Sequence, residues 1–341
     1  MKQSILDLIE ISTYAGARAD YTQGGGGNTS VKDESGVMLI KASGYKLIDI
    51  NQTTAFVGVD QKAIFNYYAN VDVTQDKDFE KESAEVSKNS IVNLEGIKTL
   101  RPSVEVGFHS ILKKYVIHTH SVYANIITCS IEGEELANKL FSNKDFGYIF
   151  LPYINPGFEL TLAMKKKIEE YKAQTGKYPE VIFMKNHGLV VNADSVERVK
   201  DVHTRVNETI RDYFKLSEDF TKVDLVEENG GFKSNTKITL KLLDKLNFKP
   251  SLLDEYPLYP DQLVYLNALI KNAPETISID NKGAWYKAEK SKATTLEETL
   301  AAYLFVTSTI LDNGLTISTM NEKEVAFING WEAEKYRSSV K

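Results

Sequence analysis

The chain has 341 residues, with 41 Lys plus Arg against 47 Asp plus Glu, a formal net charge of −6 and a pI near 5.6. A duplex phosphate backbone would meet a repulsive field over most of such a surface, which argues against nucleic acid as a partner; small anions are not excluded, because a few backbone N–H groups can outweigh the global charge locally. Apolar residues make up 42% of the chain, yet no apolar run approaches the roughly 20 residues needed to span a bilayer, so no membrane partner is expected.

The first stretch, "MKQSILDLIEISTYAG", has the apolar spacing of an amphipathic helix. It lacks the uninterrupted apolar run and small-residue cleavage site of a signal peptide, which implies a cytoplasmic protein. Next comes "TQGGGGNTSVK", where Gly24 to Gly27 lead directly into Asn28 and a strand with apolar residues at its core. A disordered linker would not run straight into such a strand. The glycines read as an ordered loop with main-chain N–H groups directed at an anion, Gly27 and Asn28 being the leading candidates. The spacing of a nucleotide-binding glycine motif and a Walker lysine are both missing.

Short β-branched runs follow, "VMLIKAS", "TAFVGVD", "KYVIHTH", "EVIFMKN" and "LVVNAD", interleaved with helical segments such as "VERVKDVHTRVNETIRDYF". Together they predict a layered α/β domain over residues 1–222. "DVTQDKDFEKESAEVSK" (72–88) reads as a solvated surface segment. A chain this long is expected to carry a smaller second unit, and "EENGGFKSNT" reads as the linker to it. The second unit, 237–341, has a helical "ITLKLLDKLNF", a turn-rich "KPSLLDEYPLYPDQ", a strand "TISID", a helix around "TLEETLAAYLFVTSTIL" and a last amphipathic helix around "EKEVAFINGWEAEKYRSS".

Of the five histidines, His118 and His120 lie two apart in a strand-like run and so share one face. A third, His187, sits where an apolar strand runs out into Asn-His-Gly, the glycine letting the backbone turn. Three neutral imidazoles with a position left for water or substrate suit catalytic zinc; the alternative is exposed strand histidines. In "RPSVEVGFHSILKKY", Pro102 and Ser103 read as a helix start with Ser103 as cap, Glu105 in the first turn and His109 one turn on as a packed helix residue. A carboxylate near bound zinc would ligate it or move a proton for substrate. The single cysteine, Cys129, has apolar neighbours and reads as a buried thiol.

Six segments in order, "GGGGNTSVK", "LIKASGYKL", "PSVEVGFH", "HTH", "LPYINPGFEL" and "KNHGLVV", resemble the class II aldolase/adducin family over Ile5 to Tyr213. The family includes zinc-dependent sugar-phosphate aldolases, epimerases and dehydratases. The glycine run, "KASGYKL" and the tail look most like the aldolase half of bifunctional rhamnulose-phosphate aldolase/dehydrogenase proteins, with no dehydrogenase domain expected after Lys341. The resemblance implies an α/β/α domain with a central, mainly antiparallel sheet and a smaller C-terminal α/β extension. It implies one Zn2+ per subunit, or another divalent transition metal, held by His118, His120 and His187, and Glu105 as the acid/base carboxylate. Asn28, Ser43, Gly44 and Ser103 match positions that hold the substrate phosphate, although Val104 stands where the fuculose-type proteins have a second phosphate-binding serine. Lys41 is a further source of positive charge near the "ASG" turn.

The reaction so implied breaks or forms a carbon–carbon bond in a ketose, expected to be a sugar 1-phosphate, through a metal-stabilised enediolate. A homo-oligomer, tetrameric by analogy, goes with it, Tyr153 and the tail aromatics being candidates for its contacts. The competing readings are a pentulose-phosphate 4-epimerase or dehydratase on the same scaffold, a non-catalytic adducin-like binding module, and an unrelated zinc hydrolase.

Overall fold

A computed structural model describes residues 1–216, 220 and 222–330. Eight strands form one sheet: β1 (Asn28–Lys32), β2 (Val37–Lys41), β3 (Phe56–Asp60), β4 (Ile91–Val92), β5 (Tyr115–Thr119), β6 (Gly147–Leu151), β7 (Pro179–Met184) and β8 (Gly188–Ala193). Their order is β4-β3-β2-β1-β5-β8-β7-β6, and only β6 with β7 is parallel. The five expected β-branched runs are β2, β3, β5, β7 and β8; β4 and β6 lie outside that set, both at sheet edges.

The strands read as near-continuous apolar runs because both faces are covered. On one face Ile117, Val181, Phe183, Leu189 and Val191 share a core with the helices Lys2–Gly16, Val122–Thr128, Gly133–Phe141 and Val196–Tyr213. On the other, Val116, Ile182, Met184 and Val190 pack with the helices Val106–Ile111 and Phe158–Thr175, while Met38, Ile40, Val57 and Val59 pack with Gln61–Asn70. This is the α/β/α layering expected. Segment 72–88 ends in a helix, Phe79–Asn89, started by the Asp78 side chain accepting from the Lys81 N–H at 3.0 Å and largely exposed beyond it.

The stretch expected to be a linker is instead a hairpin. Strands β9 (Leu225–Glu228) and β10 (Gly231–Ser234) pair across Asn229 and Gly230, with φ of 54° and 73°. Two consecutive residues in the left-handed region make the turn whose twist matches paired strands, and Asn-Gly is its favoured sequence. The hairpin joins β11 (Ile277–Asp280) and β12 (Gly283–Tyr286) in a second antiparallel sheet, order β11-β12-β10-β9. The turn-rich stretch before β11 contains one short helix, Ser251–Glu255.

The helix expected around "TLEETLAAYLFVTSTIL" spans Lys290–Asp312, and Leu300 to Ile310 are buried without a break. A helix buried on all sides belongs in an interior; this one packs against Val122–Thr128 and Lys237–Lys245 and joins the core on the first face of the large sheet. The last expected helix is Glu322–Gly330, and the rest of that expectation lies outside the described residues. No described helix is long and apolar enough to cross a membrane.

Leu304 is fully buried in this shared core. Leu304→Ala should lower the unfolding free energy by about 2–5 kcal/mol, through lost burial and the cavity left behind. Urea denaturation checks this; a loss under about 1 kcal/mol would contradict the packing.

Candidate active site

Strands β1, β5 and β8 are neighbours, and their register sets Asn28 opposite His118 and His118 opposite Val190. His118 and His120 reach the face of the sheet that carries Val116, while Thr119 between them points the other way and meets His203 Nε2 at 2.9 Å. His187 enters from the turn between β7 and β8. Asn186, with φ of 50°, makes that turn. The expectation that Gly188 makes it is corrected: Gly188 has no positive φ, and a Cβ there would lie 2.5 Å from the Thr119 carbonyl oxygen and 3.1 Å from His120 Cδ2. What the site needs from this glycine is room for the histidine strand.

The three buried imidazoles converge, their ring centroids 4.9, 5.1 and 5.4 Å apart. Their ligand-type nitrogens lie within 4.8 Å of one another, a group that could hold a metal ion. Two tautomers are fixed by partners. His118 Nδ1 faces the Leu189 carbonyl oxygen at 3.0 Å, which only accepts, so Nδ1 carries the proton. His120 Nδ1 makes a short hydrogen bond to the Asp261 carboxylate. Burial, the largest influence, pushes His118 down to about 3, so its ring is neutral at pH 7. The two Nε2 atoms face each other at 3.2 Å, the His118 one presenting its lone pair. Two nitrogens bound to one tetrahedral zinc at about 2.0–2.1 Å are about 3.3 Å apart. The donor set fits a divalent cation.

Glu105 closes the cluster, with Oε2 3.5 Å from His118 Nε2 and Oε1 3.3 Å from His187 Nε2. Burial pushes its carboxyl up, but the imidazoles of His118, His187 and His120 more than offset this and hold it well below the usual range. Asn28 Nδ2 donates to Glu105 Oε2 at 2.5 Å and to Ser103 Oγ at 3.1 Å. The helix starts later than expected, at Val106; Ser103 Oγ accepts from the Glu105 N–H at 3.3 Å, so its capping role falls on the turn before the helix. His109 does more than pack. Its Nε2 makes a short hydrogen bond to Asn28 Oδ1, and its Nδ1 lies 2.7 Å from Ser30 Oγ. Burial holds this ring well below its ordinary value, and a neutral His109 with Nε2–H donating forces the Asn28 amide to turn its NH2 toward Glu105.

Every expected site residue except His118 lines one cavity: Gly27, Asn28, Ser43, Gly44, Ser103, Glu105, His120 and His187. Gly27 has φ of 67°, and a Cβ would lie 2.6 Å from the His118 carbonyl oxygen, so the glycine loop lies against the histidine strand. Lys41 is buried in the wall and donates to the carbonyl oxygens of Gly25 at 3.1 Å and Tyr45 at 2.6 Å, tying the glycine loop to the "ASG" turn. Asp261 has no role in the sequence reading, although its stretch, "PLYPDQLVYL", belongs to the tail that resembles the bifunctional subgroup; it precedes a π-helical turn, Gln262–Asn267. The Glu105-to-His109 spacing was the one signal for His109.

A profile of the Class II Aldolase and Adducin N-terminal domain matches residues 7–214, nearly the span of the six motifs. The chain belongs to the class II aldolase/adducin family. An uncharacterized oxidoreductase of Bacillus subtilis (strain 168), YuxG, is 27% identical to this family member over 206 residues, 58% of this chain and 27% of that protein. The match therefore spans about a quarter of that relative's length. The N-terminal class II aldolase domain of a conserved protein from Thermoplasma acidophilum is 26% identical, with TM-score 0.50 over 62% of this chain and 94% of its own. An L-fuculose 1-phosphate aldolase structure is 19% identical, with TM-score 0.41 over 66% and 92%.

Behind the histidine cluster, burial first, then Arg18 and His118, pushes His203 down from 6.5 to about 3. The unfolded chain therefore binds a proton there that the folded chain refuses. This part of the stability is complete above pH 6.5 and is lost as pH falls toward 3. Thermal melts of metal-free protein between pH 7 and 5 should show Tm falling with pH, less steeply in His203→Asn; an unchanged slope would contradict this.

Proposed function

We propose that this class II aldolase family member is a zinc-dependent lyase that cleaves or forms a carbon–carbon bond in a ketose, by expectation a sugar 1-phosphate. The observation that carries the reading is the convergence of buried His118, His120 and His187, with ligand-type nitrogens within 4.8 Å of one another and Glu105 within 3.5 Å of the same cluster. His118, His120 and His187 would hold the metal. When bound, zinc supplies Lewis-acid polarisation of the carbonyl and adjacent hydroxyl oxygens of the substrate.

Glu105 is the group that moves the proton. A carboxylate held ionised can accept one from a substrate hydroxyl or carbon, and its Asn28 hydrogen bond fixes which lone pairs point into the cavity. Relayed through Ser30, His109 and Asn28, this orientation is set before substrate arrives. Gly27, Ser43, Gly44 and Ser103 would anchor the far end of the substrate through main-chain N–H and hydroxyl groups, with Val104 giving that wall an apolar patch. The reading includes a cytoplasmic location and, by analogy with the family, a homo-oligomer.

A retro-aldol screen of ketose 1-phosphates and unphosphorylated ketoses on metal-analysed protein tests the reading. Release of a ketone and an aldehyde fragment is expected; zinc-loaded protein that releases neither from any ketose would contradict it. Glu105→Gln should retain zinc and lose roughly 10²-fold or more in turnover, the scale of a lost general acid/base. His118→Ala should lose zinc and activity together, and normal turnover by Glu105→Gln would remove Glu105 from its role.

A further inference from the structure

The carboxylate that fixes His120 comes from the C-terminal unit. Asp261 is fully buried and bonds His120 Nδ1 from a position 141 residues along the chain. Pro260, beside it, lines the same cavity as the expected site residues. Its loop is held from both sides. Gln262 accepts from the Leu258 N–H and donates to the Leu253 carbonyl, each at 2.8 Å. Asn186, next to His187, donates to the carbonyl oxygens of Leu258 at 2.8 Å and Ser318 at 2.7 Å. Two of the three histidines thus take their placement partly from residues beyond the family match.

The glycine run fits the same arrangement. A Cβ on Gly26 would lie 2.4 Å from Asp261 Oδ2 and 2.9 Å from His120 Nδ1, and one on Gly24 would lie 2.4 Å from Thr295 Cγ2. The Gly24 N–H donates to the Glu298 carboxylate at 2.9 Å. The anion this end of the loop faces belongs to the protein. Gly24 and Gly26 are bare so that the C-terminal unit can close on the loop, while Gly25 and Gly27 face the cavity.

We infer that Asp261 is a positioning residue for the metal centre: it holds His120 in the Nδ1–H tautomer with Nε2 turned to the cation, and so makes the C-terminal unit part of the active site. The inference rests on the three-histidine metal reading above. A carboxylate accepting from the far nitrogen of a ligand histidine makes that ligand more basic, and its removal typically costs about 10–100-fold in metal affinity.

The test is competitive zinc titration of the full chain against a chelating dye, for the unaltered protein, Asp261→Asn and Asp261→Leu, with thermal melts of the metal-free proteins. Asp261→Asn keeps the shape and an accepting oxygen but removes the charge. Its zinc Kd should rise about 10-fold or more while its metal-free Tm stays within a few degrees, and Asp261→Leu should lose more. A Kd for Asp261→Asn within about threefold of the unaltered protein would overturn the inference, as would an affinity loss that merely follows a falling Tm. Should the variants not fold, imidazole nitrogen NMR of the zinc-loaded unaltered protein decides, since His120 must carry a slowly exchanging Nδ1–H. Unaltered protein that binds no zinc would instead refute the metal reading itself.

Discussion

Two buried imidazoles held with their Nε2 atoms 3.2 Å apart are the constraint on which the rest of this site depends. Neither ring can turn away, because the Leu189 carbonyl holds His118 and the Asp261 carboxylate holds His120. A buried polar atom without a partner costs about 1–3 kcal/mol, and Glu105 Oε1, which makes no hydrogen bond, lies at this cluster 3.3 Å from His187 Nε2. A divalent cation held there would remove that penalty.

The large sheet makes this convergence rigid. His118 lies on β5, flanked by β1 and β8, and its neighbour Thr119 is anchored on the opposite face by His203. Glu105 is set by a separate polar chain, Ser30 to His109 to Asn28, that runs across β1 to the helix Val106–Ile111. The histidine cluster and Glu105 therefore rest on different supports.

Much of this was legible in the sequence because the signals were local. The β-branched runs mark strands, the two-residue spacing of His118 and His120 sets one face, and six ordered motifs give the family. What was missed depended on distance or on short elements. Asp261 lies in the resembling tail stretch "PLYPDQLVYL", but its contact with His120 appears only when the C-terminal unit reaches the cavity. Polar β9 and β10 hid their pairing, although Asn229–Gly230 carried the turn signal. Gly188 was given the turn that Asn186 makes, because sequence shows flexibility and not close approach. His109 looked like a packed helix residue because its partners, Asn28 and Ser30, arrive from another strand.

X-ray absorption at the zinc edge of the metal-loaded chain tests the central claim most directly. Three imidazole nitrogens at about 2.0–2.1 Å, with the remaining position filled by oxygen, is the predicted first coordination shell. Fewer than three imidazoles, or zinc held chiefly by oxygen at a surface site, would contradict the account.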